Sequence, residues 1–120
     1  GFDKKIQEEH WVNEGKKKVL FYLSKINKYL ISKNINLVLV YYPSAIEILE
    51  ETNPYESEHY KLLKAWSNEH KIKFIDTTNE FNLLSSGLDN YKINHILCDA
   101  HWNQNGHNII AKNILKNLNM

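Results

Sequence analysis

The segment Ile35-Asn36-Leu37-Val38-Leu39-Val40-Tyr41-Tyr42, closed by Pro43, limits what this chain can fold into more than any other part of it. Apolar side chains occupy both alternating sets of positions, so no solvent-facing side remains. A strand apolar on both faces must be covered on both, the condition met in parallel sheets with helices above and below. Pro43 cannot donate to a ladder and ends the segment. Ile72 to Ile75 reads as a second, shorter strand.

The remaining pattern is helical. Val19, Leu23, Ile26 and Leu30 recur at i, i+4, i+7 and i+11, with Leu20 and Ile31 beside them, predicting a core-facing helix over about 12–33. Residues 1–11 are charged and aperiodic, a loop or a fraying helix. Asn34 suits a left-handed stop. Ser44 and Glu47 have capping-box spacing and open a short helix to about Glu51. Asn53, Pro54 and Glu56 mark a further start, with Tyr55, His59, Leu62 and Trp66 on one face of a helix ending near Glu69. Thr77 and Glu80 repeat the capping-box spacing, with Phe81 and Leu84 inward and Ser85 and Ser86 terminating the helix. Residues 85–100 lack periodicity and read as one long loop. A last helix spans about Asn103 to Leu118, with Ile110, Ile114 and Leu118 as its stripe and Ala111 and Leu115 beside it.

This order predicts an α/β layered fold, parallel strands near 35–42 and 72–75 joined by right-handed crossovers and flanked by helices. No repeat, low-complexity tract or linker divides the chain, so 1–120 is read as a single domain. Two parallel strands make a poor stand-alone sheet. The chain opens on Gly1, and the expectation is a C-terminal part of a larger domain whose sheet begins upstream.

Composition narrows the function classes. The longest apolar run is the six residues Leu37–Tyr42, against ~20 for a bilayer span, so no membrane span is expected. One cysteine, Cys98, excludes an internal disulfide framework and a cysteine-based zinc site; it reads as a small buried packing residue. The 15 positive side chains are all lysine and the net charge is +1. With no arginine and no aromatic platform beside Lys16-Lys17-Lys18, no nucleic-acid partner is expected.

Polar and titratable residues gather near the C-terminus. His95, His101 and His107 are spaced by six; on a helix that is about 600°, which scatters the rings, so no metal is assigned. Asp99 and His101 suit a carboxylate–imidazole pair. A carboxylate that accepts from Nδ1–H holds the ring in one tautomer and leaves Nε2 to act as a base. The residue pattern equally allows Asp99 as a turn former and His101 as a surface residue before a helix capped by Asn103.

The segment Asp99-Ala100-His101-Trp102-Asn103-Gln104-Asn105-Gly106-His107, followed by Ile110-Ala111, resembles the C-terminal catalytic block of SGNH/GDSL-type hydrolases. It is nearest the Asp-x-His-Trp/Leu-Asn-x-x-Gly-His form of bacterial members and related polysaccharide O-acetyltransferases. Leu37 to Ser44 is similar to that family's late strand ending in Pro-Ser, and Phe74-Ile75-Asp76 to the next. The resemblance implies a partial flavodoxin-like three-layer fold with the N-terminal half of its sheet absent. It implies His101 as the general base and Asp99 as its orienting carboxylate. Trp102 and Asn103 would shape the loop and cap the helix, and Gly106 would allow close backbone approach. A small-molecule or carbohydrate O-acyl ester would be the substrate, with no cofactor. The spacing is Asp-x-His where the wider family has Asp-x-x-His.

The chain holds no Gly-Asp-Ser, Gly-x-Asn-Asp or Gly-x-Ser-x-Gly. The expectation is therefore the base-bearing half of a serine esterase or acyltransferase, inactive alone, with its nucleophile upstream. Ser44 ends a strand where α/β sites form, but its capping role accounts for it, as turn chemistry does for the rival carboxylate Asp76. The alternative is a non-catalytic α/β binding or interaction module.

Overall fold

The computed structural model describes residues 4–82 and 87–118; Gly1, Leu84, Ser85 and Ser86 lie outside them. In chain order the elements are α1 (Lys4–Ser32), β1 (Val38–Tyr41), α2 (Ala45–Leu49), a 3-10 turn at Pro54–Glu56, α3 (Glu58–Glu69), β2 (Lys73–Asp76), α4 (Thr78–Asn82), α5 (Gly87–Asn94) and α6 (Gln104–Leu118). The fold is mixed α/β. Strands β1 and β2 pair in parallel, with Val38 opposite Lys73 and Tyr41 opposite Asp76. Among the described residues the sheet has these two strands only, each shorter than or shifted from its expected span.

Neighbouring residues on a strand point to opposite faces, and here each face meets helices. Val40 packs on a core of Ala45, Ile48, Phe81, Tyr91 and Ile110, contributed by α2, α4, α5 and α6. On the other face Tyr41 and Phe74 meet Tyr60 of α3, at ring-centroid distances of 4.8 and 5.8 Å. α1 lies beside α3, where Trp66 Nε1 donates to Ser24 Oγ at 3.3 Å and Lys16 pairs with Glu58 at 2.6 Å.

Several helix expectations change. α1 begins at Lys4, because lysine, glutamine and glutamate favour helix without leaving an apolar period. Its inward side is not the expected stripe. Asn27 is buried and Leu20, Leu23 and Leu30 are half-buried, whereas Val19, Ile26 and Ile31 are exposed. Asn34 does adopt the left-handed backbone that ends the helix, at φ 58°. The expected helix from Asn53 is broken, since Ser57 starts afresh by accepting from the Tyr60 N–H at 3.3 Å. Tyr55 and His59 are exposed, and Trp66 and Ser67 form the buried side of α3.

Thr77 does not cap α4. Its hydroxyl donates to the Tyr41 carbonyl at 2.8 Å, tying the two strand ends together, while Asp76 accepts from the Thr78 N–H at 2.9 Å. The expected loop 85–100 contains α5. That helix buries Asn90, Tyr91 and Asn94, so its inward side is mostly amide and shows no hydrophobic period. In α6 the buried side is Gly106, Ile110 and Asn113, and Ala111, Leu115 and Leu118 are exposed. Cys98 is exposed, correcting its reading as a packing residue.

Candidate active site

Residues 95 and 102 form an antiparallel bridge, and the Ile96 N–H donates to the His101 carbonyl at 3.0 Å. The segment between them is thereby pinched into a closed loop between α5 and α6. Its tip turns at Cys98, whose φ of 61° lies in the left-handed region that β-carbon-bearing residues seldom occupy. The turn closes with the Asp99 N–H donating to the Ile96 carbonyl at 3.1 Å.

Within this loop the two candidate side chains meet. His101 Nδ1 lies 2.5 Å from Asp99 Oδ1, and the same oxygen accepts the His101 backbone N–H at 2.8 Å. An ionised carboxylate only accepts, so Nδ1 carries the proton and Nε2 keeps its lone pair. Among the described residues nothing bonds to Nε2. The two donors hold the Asp99 carboxyl below its ordinary range, the His101 backbone N–H contributing most and the ring next. The side chains are 84% and 44% exposed for His101 and Asp99. A pair so exposed adds little to stability, so the arrangement is set by the loop and not by a gain from pairing.

The supports beneath the loop are half-buried at Trp102 and Asn103 and buried at Gly106. Asn103 Oδ1 accepts from the Gly106 N–H at 3.1 Å, capping α6, while its Nδ2 donates to the Ile93 carbonyl at 2.7 Å. One side chain thus ties the end of α5 to the start of α6. Gly106 must be glycine: a Cβ there would sit 2.4 Å from the Asn94 carbonyl oxygen and 2.7 Å from Trp102 Cβ. Trp102 packs edge-on against Tyr42 at 4.3 Å and against His107 at 5.3 Å. Tyr42, Ala100, His101, Trp102 and His107 line a shallow cleft of about 200 Å³. Tyr42 follows β1, so the cleft lies at the carboxyl end of that strand, where ligands settle in open α/β sheets.

No serine joins this cleft among the described residues. Ser44 accepts from the Glu47 N–H at 3.2 Å while Glu47 Oε2 accepts from the Ser44 N–H at 2.8 Å, a complete capping box. The hydroxyls of Ser24, Ser32, Ser57 and Ser67 are likewise held in hydrogen bonds within or between helices. Asp76 is spent on Thr78 and on the Tyr60 hydroxyl at 3.3 Å. Among the described residues no cluster of three or more His, Cys, Asp or Glu could hold a metal ion, and no helix is long and apolar enough to cross a membrane.

Sequence reading does not single out Tyr42 or Tyr91, and it weighs His95 only as a metal ligand. Tyr42 carried one usable signal, its place at a strand's carboxyl end; the other two lie in α5 or just beyond it, where no period is visible. Neither ring nitrogen of His95 makes a well-formed hydrogen bond, and the residue is 2% exposed. Burial lowers its pKa, and the Tyr91 carbonyl acts in the opposite direction. No family model, curated protein or solved structure matches this sequence.

Proposed function

We propose that this chain supplies the base and orienting carboxylate of a serine esterase or O-acyltransferase of the SGNH type. The observation that carries the reading is the 2.5 Å contact between His101 Nδ1 and Asp99 Oδ1, with Nε2 unengaged beside an aromatic cleft. In this reading a serine Oγ attacks an ester carbonyl carbon and its proton passes to Nε2 of His101. The tetrahedral intermediate collapses, the ester C–O bond breaks, and the leaving alcohol takes the proton from the imidazolium. Water or a sugar hydroxyl then attacks the acyl-enzyme by the same route in reverse. Asp99 stabilises the imidazolium throughout. The cleft suits a small acyl group, and the substrate proposed is an O-acyl ester, small or carried on a carbohydrate.

The nucleophile belongs to a part of the enzyme beyond the described residues. Two features support that. The edge of β1 away from β2 is unpaired among the described residues. On α1, Val12, Val19, Tyr22, Ile26 and Tyr29 are all exposed, and at 100° per residue they fill an arc of about 100° adjoining half-buried Leu23 and Leu30. Since α1 shares a face with α3, successive right-handed crossovers would set a strand leading into α1 on the free side of β1. That strand would lie beneath the arc, extending the sheet toward a flavodoxin-like, three-layer fold.

The second reading, a non-catalytic α/β module, draws on the exposure of His101. One experiment separates them. The whole product of the gene is assayed with p-nitrophenyl acetate, and His101→Ala is expected to lower kcat/KM by about 10³-fold or more. Turnover untouched by that substitution supports the module. Serine-dependent turnover by the 120-residue chain alone would overturn the external nucleophile.

A further inference from the structure

We infer that Tyr91 is the positioning residue of the pair, its phenol hydroxyl fixing the backbone of Asp99 and thereby the carboxylate that orients His101. The inference rests on reading Asp99 and His101 as a working pair. The Tyr91 hydroxyl accepts from the Asp99 N–H at 3.0 Å and lies 2.7 Å from the Asp99 carbonyl and 2.9 Å from that of Ile96. Its single proton is shared between those two carbonyls, so one group engages both ends of the turn that carries Cys98. The rest of the tip offers little purchase. Ile96, Leu97, Cys98 and Asp99 are all exposed, so side-chain packing does little to hold the turn.

Tyr91 itself is anchored. It is 8% exposed, belongs to the core with Phe81 and Ile110, and stacks on His95 at 5.1 Å and 14°. The aromatic body therefore holds to the core while the hydroxyl reaches the loop. Removing that oxygen leaves the stack in place, and the freed Asp99 carbonyl in this exposed turn can turn to water. The predicted result is a folded protein whose loop no longer keeps Asp99 Oδ1 against both His101 donors.

The test is Tyr91→Phe, with the Asp99 carboxyl followed by carbon NMR across the acid range and folding checked by circular dichroism. In the unsubstituted chain Asp99 titrates below the ordinary carboxylate value, as its two donors require. In Tyr91→Phe that titration is expected to rise toward the ordinary value. Ile110→Val, which trims the same core without touching the hydroxyl, should leave it where it was. An unshifted Asp99 in folded Tyr91→Phe overturns the inference and leaves the pair standing. An ordinary Asp99 titration in the unsubstituted chain overturns both. Amide exchange gives a second check: the Asp99 N–H, shared between the Tyr91 hydroxyl and the Ile96 carbonyl, should lose protection in folded Tyr91→Phe, and unchanged protection would overturn the assignment.

Discussion

The layer of α4, α5 and α6 and the helix α1 treat their large apolar side chains in opposite ways. The first buries Phe81, Tyr91 and Ile110 and fills further inward positions with amides that are hydrogen-bonded locally, as when Asn94 Nδ2 donates to Asn90 Oδ1 at 2.9 Å. The second leaves Trp11, Val12, Val19, Tyr22, Ile26 and Tyr29 exposed along one side of a single 29-residue helix. Isolated apolar side chains at a surface are ordinary, whereas a contiguous row of them marks a face built to be covered. The difference teaches that the loop bearing Asp99 and His101 stands on a packed layer, whereas α1 presents an apolar side to solvent.

The contrast is broken most forcefully at Gly106. Gly106→Ala drives a Cβ to 2.4 Å from a backbone carbonyl in the packed layer, and about 3 kcal/mol of destabilisation is expected, read from the urea midpoint. A loss under about 0.5 kcal/mol would mean that α5 and α6 can separate freely.

The next effect is a pH slope. The folded pKa of His95 lies below its ordinary value of 6.5, so as pH falls the unfolded chain takes up the proton first. Stability is therefore full above about 6.5 and declines below it, by at most about 1.4 kcal/mol per pH unit. The depressed Asp99 carboxyl adds a loss of the same sign at lower pH. His95→Phe should flatten the decline between pH 7 and 5, followed by thermal unfolding across that range. An unchanged slope would place the acid sensitivity elsewhere.

The smallest effect belongs to the apolar side of α1. Ile26→Ser, at a position 49% exposed, should alter the stability of the 120-residue chain by less than about 0.5 kcal/mol. A loss above about 2 kcal/mol would show the arc already packed within this chain.

The parallel pair was legible because the two apolar faces of Leu37 to Tyr42 leave a strand few alternatives. The caps at Ser44 and Asn103 were legible too, since capping is local and written in side-chain type and spacing. α5 was not legible, because its inward side carries Asn90 and Asn94, bonded to each other, and so shows no hydrophobic signal. Nor was the inward side of α1, where α3 selects Leu20 and Asn27 over the stronger apolar stripe. For the site, a spacing of two residues allows Asp99 and His101 to meet or to diverge. What decides is a left-handed Cys98 and a hydroxyl eight residues back in sequence, neither of which the motif contains.

Asp99 holds His101 with Nδ1 protonated and Nε2 left to act. Proton and nitrogen NMR of the imidazole tests this most directly. The prediction is one proton on the neutral ring, at Nδ1, shifted far downfield by its carboxylate partner and lost in Asp99→Asn, with Nε2 carrying none. A proton on Nε2, or an Nδ1 signal indifferent to Asp99→Asn, would contradict it.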